Sequence, residues 1–362
     1  MHTSIKQKRT IISPAVLKDQ LPLTQLAQQN VATHRQAILD IMKQKQNKLL
    51  VVVGPCSIDN PQSALEYAKL LKKAQEEFKD HLHLVMRVYF EKPRTKLGWK
   101  GLINDPHLND SFHINEGLFA ARELLLEINQ IGIGCATEFL DVNIPQYMVD
   151  LISWSAIGAR TCESQIHREC ASGLPTPVGF KNRSDGAIEP AINAMLAAAR
   201  SHHYLAINDQ GALAIFQTSG NANSHIILRG GQKPNYSAVD ISYTLEQLQK
   251  HNCLNKVMID CSHGNAQNDY RNQMQVVEAV SRYMQKSDHS ILGLMLESYI
   301  HEGKQTLDQL NYKPGKSVTD ACISWPMTYD ALAHLHQSFQ QQNTPLSTKG
   351  NSICKRHSIK IK

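Results

Sequence analysis

From Lys48 onward the chain alternates two hydrophobic patterns. Short runs rich in apolar and β-branched residues are each followed by longer stretches with apolar positions three and four apart. Eight runs of the first kind stand out: "LLVVVG", "LHLVMRVYF", "GCATEFLD", "SAIGAR", "PVGFKN", "HIILRG", "KVMIDCSH" and "ILGLMLES". Between them lie amphipathic segments such as "INEGLFAARELLLEINQI", "DGAIEPAINAMLAAARS" and "YRNQMQVVEAVSRYMQKS". This alternation predicts parallel β/α units, and eight of them predict an α/β fold of the (β/α)8 TIM-barrel type. A doubly wound open sheet is the alternative, but the G-x-G-x-x-G turn it would often carry is not found.

Two interruptions break the rhythm. A long loop, "EKPRTKLGWKGLINDPHLNDSFH", follows the second run, and loops of that length are usually functional or disordered. Between the fifth and sixth units, "YLAINDQGALAIFQTSGNANSHI" alternates weakly around glycines and reads as an inserted β-hairpin. The chain therefore divides into an N-terminal arm at 1–46, a barrel at 47–339 with the hairpin near 203–225, and a basic tail at 340–362. The arm carries a helical pattern after Pro22, and the tail is expected to be disordered.

Composition narrows the class. Hydrophobic residues make up 42% and charged residues 19%, as in a soluble globular protein. No apolar run approaches the roughly 20 residues of a membrane span, and the N-terminus lacks a secretory apolar region, so a cytoplasmic protein is expected. Part of the net charge of +6 sits in the tail, "STKGNSICKRHSIKIK". That tail has no aromatic interleaving or nucleic-acid motif, so neither a nucleic acid nor a membrane is an expected partner. The eight cysteines are scattered without a CxxC pair, which suits reduced thiols.

The chemistry gathers at the carboxyl ends of the predicted strands. The first ends at Cys56. The second carries Arg87, then Glu91, Lys92 and Arg94; the third ends at Glu138 and Asp141. Arg160, Lys181 and Arg229 close the next three, Asp260 and His263 the seventh, and Glu297 the eighth. In a barrel these ends converge on one face, where active sites lie. Arg87, Lys92, Arg94, Arg160, Lys181 and Arg229 form a cationic set suited to phosphate and carboxylate oxygens. So many cations around one cavity imply a substrate with several negative charges. A second set, Cys56, His263, Glu297 and Asp320 in "KSVTDACISW", consists of metal-ligand types. It suits a borderline divalent cation: Mn²⁺, Fe²⁺, Co²⁺, Cu²⁺ or Zn²⁺.

At these residues the sequence resembles the class I 3-deoxy-D-arabino-heptulosonate 7-phosphate (DAHP) synthases. The resemblance rests on "GPCSI", "MRVYFEKPRTKLGWKGLINDP", "SAIGARTCESQIHRE", "PVGFKN", "HIILRGGQKPNYS", "IDCSHGN" and "SVTDACISW", and runs from about residue 5 to 338. It implies condensation of phosphoenolpyruvate with erythrose 4-phosphate, releasing phosphate. It also implies Cys56, His263, Glu297 and Asp320 as metal ligands, the last also among the catalytic residues. Arg87, Arg160, Lys181 and Arg229 would surround phosphoenolpyruvate. Arg94 and Thr95 would hold the sugar phosphate, Lys92 would lie between the substrates as general acid, and Glu138 would partner the attacking water. A homodimer or homotetramer and an aromatic amino-acid effector are implied as well. Oxidation after loss of the ion is expected to join Cys56 to Cys322.

The chain departs from the family pattern around the expected effector pocket, beside the helix after the fourth strand and the hairpin. Pro175 and Ala206 stand where serines are common, and Arg183-Ser184 where Gly-Thr is usual. Altered or absent regulation is the expectation. Two other functions compete: a related synthase acting on arabinose 5-phosphate, and a non-catalytic phosphosugar-binding regulator. The "EKPRT" loop favours the four-carbon sugar. The presence of all four ligand residues speaks against a regulator.

Overall fold

The computed structural model describes residues 4–94, 96–286, 290–307 and 311–343; Thr95 and the tail from 344 lie outside the described residues. The strands are β1 (Leu49–Gly54), β2 (Leu82–Arg87), β3 (Gly134–Glu138), β4 (Trp154–Ile157), β5 (Val178–Lys181), β6 (His203–Ile207), β7 (Leu213–Gln217), β8 (Ser224–Leu228), β9 (Val257–Asp260) and β10 (Ile291–Glu297). The helices are α1 (Pro14–Gln20), α2 (Gln25–Met42), α3 (Pro61–Phe78), α4 (Ile114–Ile131), α5 (Pro145–Met148), α6 (Gln165–Gly173), α7 (Glu189–Ala198), α8 (Ala238–Lys250), α9 (Asn272–Met284) and α10 (Trp325–Asn343). Eight strands close a barrel in the order β1-β10-β9-β8-β5-β4-β3-β2, and every pairing within it is parallel. All eight predicted runs supply these strands. The remaining pair, β6 and β7, is the antiparallel hairpin inserted between the fifth and sixth barrel strands.

The strand pleat sorts the apolar residues into two cores. On β1, Leu49, Val51 and Val53 pack outward among the helices, while Leu50 and Val52 face the barrel interior. There they meet Val85, Trp154, Ile227, Met258 and Met295. Both faces of the strand are therefore dry, which explains its unbroken apolar run.

The amino-terminal helices pack on the barrel. Ile38, Ile41 and Met42 of α2 join the interior cluster, so α2 plugs the barrel at its amino-terminal end. Ahead of it, α1 reaches the hairpin tip: Lys18 pairs with Asp209 at 2.8 Å, and the Ala15 N–H donates to the Asp209 carbonyl at 2.7 Å. Residue 12 is held by α4 and α5, since its N–H donates to Asn115 and its carbonyl accepts from the Tyr147 hydroxyl. Among the described residues no helix is long and apolar enough to cross a membrane.

One contact of this plug is sensitive to acid. His34 on α2 and His83 on β2 face each other with ring nitrogens 3.1 Å apart. Burial lowers the His34 imidazole from 6.5 to about 4. Burial, with the charges of His34 and Lys48, lowers His83 to about 3. Both folded values lie below the unfolded one, so the stability they carry is complete above pH 6.5 and is lost as pH falls towards about 4 for His34 and about 3 for His83. Each linked proton contributes a slope of about 1.4 kcal/mol per pH unit. The Tm of the protein should fall across this window, and His83→Gln should make the fall shallower. Parallel Tm–pH curves for the two proteins would contradict the assignment.

Candidate active site at the barrel mouth

Just past β1, Gly54 and Pro55 end the strand and Cys56 lies fully buried beneath the mouth. Its sulfur is the hub of a small network. The Lys92 ammonium donates to Sγ at 3.0 Å and to the Cys56 carbonyl at 3.2 Å. The Thr319 hydroxyl donates to Sγ at 3.1 Å and lies 2.7 Å from the Ser57 hydroxyl. The thiol itself faces Asp320 Oδ2 at 3.5 Å. Burial, then the charge of Glu297, pushes the Cys56 thiol up to about 11, with Lys92 pulling the other way.

Glu297 closes β10 and is held from both sides. Gln273 on α9 clasps its backbone, accepting from the Glu297 N–H at 2.9 Å and donating to its carbonyl at 3.0 Å. Its side chain takes Arg87 Nη2 at 3.1 Å and the Ser262 hydroxyl at 2.8 Å. Arg87 is itself fully buried, stacked 3.9 Å over the Tyr89 ring. His263 follows β9 with a left-handed backbone, φ 51°. Asp260 Oδ2 stands 2.9 Å from its Nδ1, which leaves Nε2 facing Glu297 Oε1 at 3.8 Å. A carboxylate behind a histidine is the usual means of aiming the ring at a metal.

The structure brings Cys56, Glu297 and Asp320 together with ligand atoms within 4.8 Å of one another. His263 lies at the edge of this group. A thiol and two carboxylates brought this close, Cys56 and Glu297 buried and Asp320 exposed, need positive charge beside them, and with an imidazole alongside they are the donor set of a borderline divalent ion. The residues fit such an ion. Cys56 and Cys322 are both buried free thiols.

Above this group opens a cavity of about 400 Å³ lined by all six predicted cations, Arg87, Lys92, Arg94, Arg160, Lys181 and Arg229. Glu138, His263, Glu297 and Asp320 share the same wall. Lys181 stands 3.2 Å from Asp260 Oδ2 and 3.9 Å from Glu138 Oε2. A Cβ at position 158 would come within 2.2 Å of Glu138 Oε1, so any side chain there would push the Glu138 carboxylate aside. Burial depresses the Lys92 ammonium, but the charges of Cys56, Glu297 and Asp320 overcome that, and its pKa ends above the ordinary value. Burial, then Asp141, raises the Glu91 carboxyl to about 8.

Several supporting residues take their roles only in the fold. Asp260 reads in the sequence as a strand end, and the fold makes it the partner of His263 and Lys181. Ser262 and Thr319 adjoin His263 and Asp320 within "IDCSHGN" and "SVTDACISW", and that adjacency is the available signal. Asn182 and Asn235 fix the Arg229 loop: Asn182 Oδ1 accepts from the Arg229 N–H at 2.7 Å and from Asn235 Nδ2 at 3.2 Å. Ser184 lines the cavity at this mouth, and its neighbour Arg183 pairs outside it with Asp185 and Glu163. Thr319→Val removes one donor to the sulfur, and second-layer losses of this kind typically cost about 10–100-fold in metal affinity. Chelator competition should show that weakening, and an unchanged affinity would reduce Thr319 to a packing residue.

A parallel barrel with six cations around a thiol–carboxylate cluster is the architecture of an enzyme acting on small polyanions. The chain belongs to the DAHP synthetase I family, whose profile matches residues 20–333. It is 51% identical over 342 residues to the Tyr-sensitive phospho-2-dehydro-3-deoxyheptonate aldolase of Escherichia coli K12, covering 94% of this chain and 96% of that one. The Phe-sensitive aldolase of the same organism is 51% identical over 331 residues, with coverages of 91% and 94%. The Trp-sensitive aldolase of Buchnera aphidicola subsp. Schizaphis graminum is 49% identical over 318 residues, with coverages of 87% and 91%. The solved phospho-2-dehydro-3-deoxyheptonate aldolase of Francisella tularensis SCHU S4 superposes with a TM-score of 0.92 at 43% identity, covering 94% of this chain and all of that one.

Proposed function

We propose a division of labour for the barrel mouth in the family reaction. The chain is a 3-deoxy-7-phosphoheptulonate synthase: it condenses phosphoenolpyruvate, erythrose 4-phosphate and water to DAHP and phosphate, the first step of the shikimate pathway. The convergence of six cations on one cavity beside Cys56, Glu297 and Asp320 carries this reading. Two phosphates and a carboxylate account for the cations. Arg87, Arg160, Lys181 and Arg229 hold phosphoenolpyruvate, and Arg94 with Thr95 holds the phosphate of the sugar.

Cys56, His263, Glu297 and Asp320 hold one divalent ion, of the Mn, Fe, Co, Cu or Zn group. When bound, it supplies Lewis-acid polarisation of a substrate oxygen. The chain's own residues do the rest. The arginines orient phosphoenolpyruvate so that its C3 attacks the aldehyde carbon. Lys92, which holds its proton firmly, protonates the alkoxide that forms. Positive charge develops at C2, and Glu138 positions the water that adds there. Phosphate then leaves with cleavage of its bond to C2. Turnover with erythrose 4-phosphate set against arabinose 5-phosphate tests the substrate assignment; faster turnover of the five-carbon sugar would overturn it.

The protein is read as a cytoplasmic homodimer or homotetramer with an aromatic amino-acid effector site of altered character. A second cavity of about 500 Å³ lies between α6 and the hairpin, lined by Pro145, Ser172, Pro175, Tyr204 and Thr218 among others. Pro175 supplies no hydroxyl to it, and Ala206, on β6 of the hairpin, is buried and does not line it. The hydroxyls of Ser172 and Thr218 bond each other at 2.7 Å. Weak or absent inhibition is expected when turnover is assayed with phenylalanine, tyrosine and tryptophan in turn; strong inhibition by phenylalanine would count against it.

A further inference from the structure

A second group of ligand-type side chains lies on the outer surface, among residues that do not line the barrel mouth. His107 Nε2 stands 2.6 Å from Glu116 Oε2, and His113 Nδ1 stands 2.7 Å from Glu116 Oε1. The three donor atoms lie within 4.8 Å of one another. The rings pack edge to face, 5.5 Å apart and inclined at 78°, so each presents a nitrogen to the same carboxylate.

The chain holds these residues in place from separate directions. His107 sits in the loop after β2, His113 immediately precedes α4, and Glu116 lies in its first turn. The loop and the helix are locked together at Gly117, where a Cβ would come within 2.2 Å of the Ile103 carbonyl oxygen. The loop is closed on itself by the Trp99 indole N–H donating to the Asp105 carbonyl at 2.8 Å, and by the Asp110 N–H donating to Asp105 Oδ2 at 3.1 Å. Three non-glycine residues around the histidines adopt left-handed backbones: Leu108 and Asp110 at φ 58° and Phe112 at φ 53°. Such outliers persist only where surrounding contacts impose them, and they cluster at functional sites. A cavity of about 380 Å³ opens beside His113 and Glu116, between α4 and residues 9–11. It has room for the waters that complete a coordination shell.

We propose that His107, His113 and Glu116 form a surface site for a second borderline divalent cation, of the zinc, cobalt, nickel or copper type. Two imidazoles and one carboxylate select such ions over magnesium and calcium, which prefer all-oxygen shells. The ion would replace the protons now shared between the rings and the carboxylate, at ligand distances of about 2.0–2.2 Å. It would clamp the loop that begins at Lys92 to the start of α4. Neither the catalytic ion nor the identity of the substrates enters this inference.

Equilibrium dialysis of the full chain against Zn²⁺ buffered in the micromolar range, with atomic emission to count retained ions, tests it. The Cys56→Ala variant, which lacks the catalytic thiol, should retain one zinc per chain. Adding His107→Gln or His113→Gln should abolish that ion, while either histidine change alone leaves turnover of the otherwise wild-type enzyme unaltered. All three residues are about half exposed, so these variants should keep the parental Tm in the absence of zinc. Two results overturn the proposal: no zinc retained by Cys56→Ala, or zinc retained after either histidine is replaced.

Discussion

Cys56→Ala is expected to release the catalytic ion and to lower turnover by more than about 100-fold. Loss of a supporting residue around a metal typically costs about 10–100-fold in affinity, and loss of a direct ligand should exceed that. The sulfur is the point where Lys92, Thr319 and Asp320 meet, so no neighbouring side chain replaces it without moving. The substitution removes a single buried atom, and the fold should survive it. Atomic emission after dialysis reads the ion directly, and a phosphoenolpyruvate absorbance assay reads turnover. Retention of both would make Cys56 a packing residue and leave the site without its defining ligand.

Lys92→Met is expected to lower kcat by roughly 10²–10⁴-fold, the usual contribution of a general acid, while the ion is retained. Methionine keeps the length of the side chain in a buried position and removes only the charge and the donors. The ammonium lies between the sulfur and the cavity, where a proton can be delivered to an alkoxide formed beside the ion. If Lys92 merely supported Cys56, the variant would lose the ion and kcat together, and reloading with excess metal would restore turnover. A low kcat at full metal occupancy is the outcome that assigns the proton transfer to this residue.

The barrel was legible because strands dry on both faces must be written as unbroken apolar runs, and β1 and β10 are such runs. Their ends were overestimated where the apolar run continues into loop packing. Val88, Tyr89 and Phe90 are buried beyond β2 although the strand stops at Arg87. The chemistry was legible for a related reason. Parallel strands point their carboxyl ends the same way, so Arg87, Lys181 and Glu297 share a mouth without any closeness in sequence.

Contacts between loops were not legible. Thr319 meets Cys56 across most of the chain, and Asp260 is separable from other buried acids only by the imidazole and ammonium beside it. Arg183-Ser184 stands among the departures near the effector region in the sequence, yet it follows β5 closely, and the carboxyl end of that strand places Ser184 on the cavity at the mouth. The role of α2 was equally hidden. An amphipathic pattern states that a helix buries one face, and nothing in it distinguishes a free arm from a plug made by Ile38, Ile41 and Met42.

The most direct test of the central claim follows phosphoenolpyruvate absorbance in the presence of erythrose 4-phosphate and Mn²⁺, with and without EDTA. The arrangement at the mouth predicts consumption of phosphoenolpyruvate with stoichiometric release of phosphate, abolished by EDTA and restored by added metal. Undiminished turnover in the stripped enzyme would contradict the metal centre, and no turnover with any of the candidate ions would contradict the enzyme itself.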